Sequence, residues 1–352
     1  MLAIFAAALS LTAAAPQAAD VAASPFDAQA RVTEALAAIR PTAYRRDAVD
    51  WAAMEARARA EAASARDTVD LLPVYSHLLT ALGDNHSFVQ VDQTLRDTYK
   101  ARYGREFDAD VPRKPQTSTF IMRRERTARP LPLASGTQAE LVTAPKVFGG
   151  GADSRAYADT VFGNIAAASD RVCGYVIDLR GNVGGNVWPM KAGLSPLLGE
   201  TYLNSDPYAR FEAGAFLINA GEYKDMAAAR VTDWRPLPRL EHAPVAVLID
   251  DGVGSSGEGV AVAFQGRAHT RFFGQTTAGV ASSNEGFTLS DGVNLVVTTS
   301  MMADRNGRIY PDGVHPDTPI AHGEGEPGDP DDAVIEAAKA WLAAQPGCAA
   351  AS

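Results

Sequence analysis

Between residues 25 and 82 apolar positions recur every three or four residues in three runs, "AQARVTEALAAIR", "AVDWAAMEARARAEAASA" and "TVDLLPVYSHLLTALG". That spacing gathers them on one face of a helix. Ala, Arg, Glu and Leu dominate, all strong helix formers, so the pattern predicts a small helical domain or cap. Its third helix closes at Gly83 and the chain turns through "DNHSF". Residues 91–140 have no clear period and carry "DVPRKPQ" and "RPLPL"; they read as a connection with one or two strands, 120–122 among them. From about Ala139 the pattern changes. "AELVTAPKV" is strand-like, "DSRAYADTVFGNIAAA" is helical with Tyr157, Val161 and Ile165 on one side, and "CGYVIDL" is a short buried strand. "APVAVLID", a helix over 256–265 and "TRFFGQ" continue the alternation, which implies an α/β layer around a mostly parallel sheet. Asp291-Gly292 between two alternating runs predicts a hairpin. Val334, Ile335, Ala338, Trp341 and Leu342 form the stripe of a last helix over 331–344, ended by Pro346-Gly347.

Composition narrows the class. The chain has 352 residues, 46% apolar and 21% charged, enough for one large or two ordinary globular domains. A net charge of −10 without a dense Lys/Arg run excludes a surface that tracks phosphates, and with it a nucleic-acid partner. The start, "MLAIFAAALSLTAAAPQAADVAAS", reads as a signal peptide over 1–23, cleaved after Ala19 or Ala23, although it lacks the usual leading Lys or Arg. No later run reaches the ~18 apolar residues of a membrane span. The expectation is an exported protein of the bacterial periplasm, with no span in its mature form and an oligomeric state that the sequence leaves open. Cys173 and Cys348 are too few for a disulfide scaffold; they either pair and staple the tail to the core or stand as one buried and one exposed thiol. No cofactor or metal site is expected: the histidines are scattered, and neither an H-E-x-x-H helix nor a calcium loop occurs.

The candidate chemistry is acyl transfer, which needs a nucleophile, a base and donors aimed at the developing oxyanion. Ser255 follows the strand "VAVLI" and the turn "DDGVG" and stands at the mouth of a helix, where unpaired N–H groups favour negative charge. The plainer alternative is an N-cap at Ser255 or Ser256 with Glu258 closing a capping box. "RGNVGGN" puts Gly181, Gly184 and Gly185 after a buried strand, where glycine lets N–H groups approach a ligand. His86 follows a helix C-terminus, and imidazole titrates near neutrality; the plainer alternative is a turn histidine bonded to backbone. His77, His242, His269, His315 and His322 read as surface or structural. The context "GSSGE" lacks the G-x-S-x-G elbow, which disfavours an α/β-hydrolase esterase.

Six segments, "LLTALGDNHSF", "YVIDLRGNVGGN", "SSGEGVAVAFQ", "RFFGQTTAG", "LSDGVNLVVTT" and "YPDGVHPD", stand in the order found in tail-specific, or C-terminal-processing, serine peptidases. The chain resembles that family, which includes the tricorn protease core and the repeats of interphotoreceptor retinoid-binding protein. The resemblance implies a helical domain over 24–110 and then a crotonase-like (ClpP/crotonase-type) α/β core with a mixed sheet over 111–345. It implies Ser255 as nucleophile, with the N–H groups of Gly185 and Ser256 as the oxyanion hole. Many bacterial members use a lysine downstream of the serine as base; here Val280 stands there, in "TTAGVAS". The branch resembling the tricorn core uses a histidine instead, which maps onto His86. For the orienting acid Asp312 comes first, with Glu285 and Asp84 as alternatives, Glu258 as a capping or accessory group and Ser87 as a possible relay member. The stretch between Phe88 and Ala139 leaves little room for the PDZ domain of many relatives, so substrate choice falls to the helical cap and core loops. The function implied is a serine-type peptidase acting on peptides or unfolded protein. A non-catalytic member binding a peptide or an apolar ligand is the alternative.

Overall fold

A computed structural model describes residues 26–108, 116–121, 125–221, 224, 226–321 and 332–349. The expected leader over 1–23, Met122 and His322 lie outside them. In chain order the elements are α1 (Ala28–Thr42), α2 (Trp51–Ala62), α3 (Thr68–Thr80), β1 (Phe88–Gln90), α4 (Gln93–Tyr103), β2 (Ala128–Pro132), β3 (Gln138–Thr143), α5 (Gly151–Ala168) and β4 (Gly174–Asp178). There follow α6 (Val187–Gly193), α7 (Ser195–Leu198), α8 (Glu200–Leu203), β5 (Ala209–Glu212), β6 (Ala215–Ile218), β7 (Ala227–Arg230) and β8 (Val245–Ile249). The last are α9 (Ser256–Phe264), β9 (Thr270–Gly274), β10 (Ser282–Thr288), β11 (Asn294–Met301), β12 (Thr318–Pro319) and α10 (Ala333–Ala343).

Aspartates start five of the helices. Asp27, Asp50, Asp67, Asp92 and Asp332 each accept a backbone N–H of the first turn, satisfying donors that a helix start leaves unpaired. The stretch expected to be connection contains α4, capped by Asp92 and closed by left-handed Gly104 at φ 68°. Tyr99 is its one buried residue, so no apolar stripe betrays it. Phe120, expected in a strand, lies in a turn instead. Its segment is held by the Asp251 carboxylate, which accepts the N–H groups of Thr117 and Ser118.

The α/β alternation forms a mixed six-stranded sheet in the order β12-β9-β8-β4-β3-β2, parallel except for the antiparallel β2/β3 edge. Alternate residues of the central strands face opposite layers, as the two-residue strand period requires. Tyr175, Ile177, Val245, Val247 and Ile249 pack with α5, α6 and α9. Val176, Ala246 and Leu248 pack with α10. A disulfide between Cys173 and Cys348 ties the tail beyond α10 to the start of β4, deciding between the two readings of these cysteines.

A second apolar cluster joins α1–α4 to Leu289, Val293, Leu295 and Val297 of the predicted hairpin. The hairpin therefore completes the helical part rather than the six-stranded sheet, forming its own sheet β1-β11-β10. Its turn differs from a two-residue loop. Only Gly292 takes positive φ, at 85°, and Leu289 N–H bonds Val293 O, the arrangement of a three-residue loop ending in a glycine bulge. Tyr75 O–H on α3 donates to Asp291 in that turn at 2.8 Å.

Candidate active site

Strands β4 and β8 are hydrogen-bonded neighbours with Asp178 beside Leu248, so the turns that leave their carboxyl ends emerge side by side. Crevices at such strand ends are where open α/β sheets bind ligands. The first turn is "LRGNVGGN", the second "DDGVGS". They touch: Gly254 N–H donates to Asn182 O at 3.0 Å, and Ser256 O–H to Gly185 O at 2.7 Å.

Ser255 has φ 52° and ψ −123°, a region L residues rarely occupy and one that clusters at active sites because it costs about 1–3 kcal/mol. The geometry is that of a sharp strand-to-helix turn, with α9 beginning at the next residue. Its hydroxyl makes no cap bond, against the plainer reading of this serine. The other half of the capping box does form: the Glu258 carboxylate accepts the Ser255 N–H, and also Thr277 O–H and the N–H groups of Gly279 and Val280. Burial pushes the Glu258 carboxyl up, opposed by these four donors. Val280 is thus bonded through its backbone N–H to the acid three residues after the serine.

Close approach requires glycine in the first turn. A Cβ on Gly184 would lie 2.8 Å from the Ser255 Cβ and 2.9 Å from Ser256 N. One on Gly185 would lie 1.9 Å from Val147 O, where Gly185 forms an isolated parallel bridge with Val147. Their φ values of 107° and 111° are open to glycine and strained for other residues.

His86 enters from the helical part. Asp84 accepts the N–H groups of His86 and Ser87 at 3.0 and 2.7 Å and the Ser87 O–H at 2.7 Å, fixing the turn after α3. The Ser87 hydroxyl in turn accepts Thr298 N–H on β11. The His86 ring bonds Ser282 on β10, Nδ1 to Oγ, at 2.6 Å, and Asn284 donates to the His86 carbonyl. Ser282 had no signal in the sequence, being 196 residues away.

His86, Ser255, Ser256 and Gly185 line one cleft of about 1330 Å³. Phe148, Trp188, Tyr208, Val187 and Met302 supply apolar wall, and Phe148 is 62% exposed. Asp312 and Glu285, candidate acids, are exposed and line the same cleft. Asp84 binds backbone N–H groups and the Ser87 hydroxyl. Among the described residues no cluster of three or more His, Cys, Asp or Glu has the arrangement of a metal site, and no helix is long and apolar enough to cross a membrane.

Residues 150–320 match the model for peptidase family S41. The nisin-resistance protein of Lactococcus lactis subsp. lactis is 27% identical over 269 residues, 75% of this chain and 74% of that one. Among solved structures, a lipoprotein from Streptococcus agalactiae superposes with a TM-score of 0.60 at 18% identity, over 92% of this chain and 98% of its own. The photosystem II D1 C-terminal processing protease gives 0.54 at 14% identity, over 84% and 94%. These two likenesses establish a shared mixed α/β fold.

Proposed function

We propose that this chain, whose residues 150–320 match the model for peptidase family S41, is an exported serine-type peptidase that hydrolyses peptides or unfolded protein, with Ser255 as nucleophile and His86 as base. The observation that carries the reading is the strained, uncapped Ser255 sharing one cleft with His86 and the Gly184-Gly185 turn. The Ser255 hydroxyl attacks the scissile carbonyl carbon while His86 Nε2 takes its proton. The N–H groups of Gly185 and Ser256 receive the carbonyl oxygen as it becomes an oxyanion, aided by the positive end of α9. His86 then returns the proton to the leaving amine, and water, deprotonated by the same ring, releases the acyl group.

Ser282 at Nδ1 orients the imidazole, a neutral hydroxyl in the place where many triads hold a carboxylate. Asp312 and Glu285 are the candidate acids on the cleft wall. Export is supported by the amino-terminal pattern and by relatives named as a lipoprotein and a nisin-resistance protein. The test is turnover of a denatured protein followed by mass spectrometry, with Ser255→Ala as control. New termini from the wild type and none from the variant support a peptidase; binding of the peptides without cleavage by the folded wild type favours the ligand-binding alternative.

A further inference from the structure

We propose that Asp250 is a positioning residue that locks the turn carrying the oxyanion donor Gly185 to the turn carrying Ser255, with Ser118 as its third partner. Asp250 follows the end of β8 and is 1% exposed. Its Oδ1 accepts Gly181 N–H at 2.9 Å and Gly252 N–H at 3.1 Å, and its Oδ2 accepts the Ser118 O–H. A buried carboxylate is costly unless its lone pairs are filled, and here every donor comes from a different segment of the site's foundation. Gly181 opens the oxyanion turn, Gly252 opens the nucleophile turn, and Ser118 belongs to the segment whose neighbours Gln116 and Ile121 line the cleft.

The three segments meet in close backbone contact around this carboxylate, which bonds all three. A Cβ on Gly181 would lie 2.3 Å from the Phe120 carbonyl carbon, and one on Gly252 would lie 2.7 Å from the Ser118 Cβ. Arg180, beside Gly181, stacks over the Phe120 ring at 4.5 Å, closing the far side of the junction. Asp250 is not among the residues that line the cleft, so its action runs through the backbone. Removing it frees the two turns to shift, and the Gly185 and Ser256 N–H groups lose their common aim.

The inference rests on the assignment of Ser255 and Gly185 above, and its test separates the two. A peptide boronate forms a tetrahedral adduct on the serine with an oxygen in the oxyanion hole; the same peptide without boron, bound in a Ser255→Ala background, reports ground-state affinity. Asp250→Ala is expected to weaken the boronate about 10²-fold, the cost typical of one lost oxyanion donor, while ground-state affinity stays within about threefold. Asp250→Asn keeps an oxygen for both N–H groups and is expected to recover about tenfold or more of that loss. Equal weakening of both ligands by Asp250→Ala, or of neither, overturns the proposal. A wild type that binds no boronate defeats the Ser255 assignment instead. If Asp250→Ala does not fold, amide exchange in the wild type decides. The Gly181 and Gly252 N–H groups are expected to exchange as slowly as those of β8, and exchange at exposed-loop rates overturns the proposal.

Discussion

Gly184→Ala probes the contact between the two turns with the smallest possible change. The added methyl would meet the Ser255 Cβ at 2.8 Å, Gly254 O at 2.9 Å and Ser256 N at 2.9 Å, all on or beside the nucleophile turn and none at the far end of a flexible chain. Holding alanine at φ 107° costs about 1–3 kcal/mol. The turn relieves the overlap by moving away from Ser255, which separates the Gly185 and Ser256 donors. Losing one oxyanion donor typically lowers kcat about 10²–10³-fold, roughly 2.7–4 kcal/mol. The assay is pre-steady-state acylation with a peptide nitrophenyl ester, read beside thermal unfolding. Because the damage falls on the transition state, KM is expected within about threefold of wild type. Gly307→Ala is the control: it has φ 80° and nothing within 4 Å of an added Cβ, so it carries the backbone strain without the crowding and should leave kcat unchanged. A folded Gly184→Ala enzyme with kcat within threefold of wild type would refute the reasoning.

Ser282→Ala removes the Nδ1 partner of His86. A neutral hydrogen bond is worth about 1 kcal/mol, so kcat should fall roughly fivefold to tenfold, checked by steady-state kinetics with a peptide substrate. The Cys173–Cys348 bridge closes a long loop; by the chain-entropy model its reduction should cost roughly 5 kcal/mol and lower Tm by about 5–10 °C, read by calorimetry with and without dithiothreitol. Arg66, with Tyr103 and Arg102, holds the Asp70 carboxyl well below the usual aspartate range. That depression makes its stabilisation present above the unfolded value of about 3.9 and lost as the pH falls below it. Between pH 5 and pH 3 the wild-type Tm should therefore drop more steeply than that of Asp70→Asn.

What could be read from the chain followed what physics imposes locally. The three first helices carry apolar stripes, and β4 and β8 are continuous buried runs, so the layers were visible. The glycine turn that meets Ser255 was visible because a close backbone approach demands glycine at Gly184 and Gly185. α4 escaped because its surface is polar, although Asp92 and Gly104 were usable start and stop signals. Ser282 and Asp250 escaped for a different reason. Each acts across a long separation, on His86 and on Gly181, and a lone Ser or Asp at a strand end has no pattern that announces such a partner. The hairpin was visible as a hairpin, but its place in the helical core depends on Leu289, Val293, Leu295 and Val297 finding α1–α4, which only the tertiary fold settles.

The proton transfer from Ser255 to His86 is tested most directly by the pH dependence of fluorophosphonate labelling. The account predicts one modified residue, Ser255, with a labelling rate that rises with pH through a single ionisation, that of the base. His86→Ala should be slower by about 10³-fold or more and lose that ionisation. A folded wild type that stays unlabelled, or a His86→Ala variant labelled at the wild-type rate with the same pH profile, would contradict it.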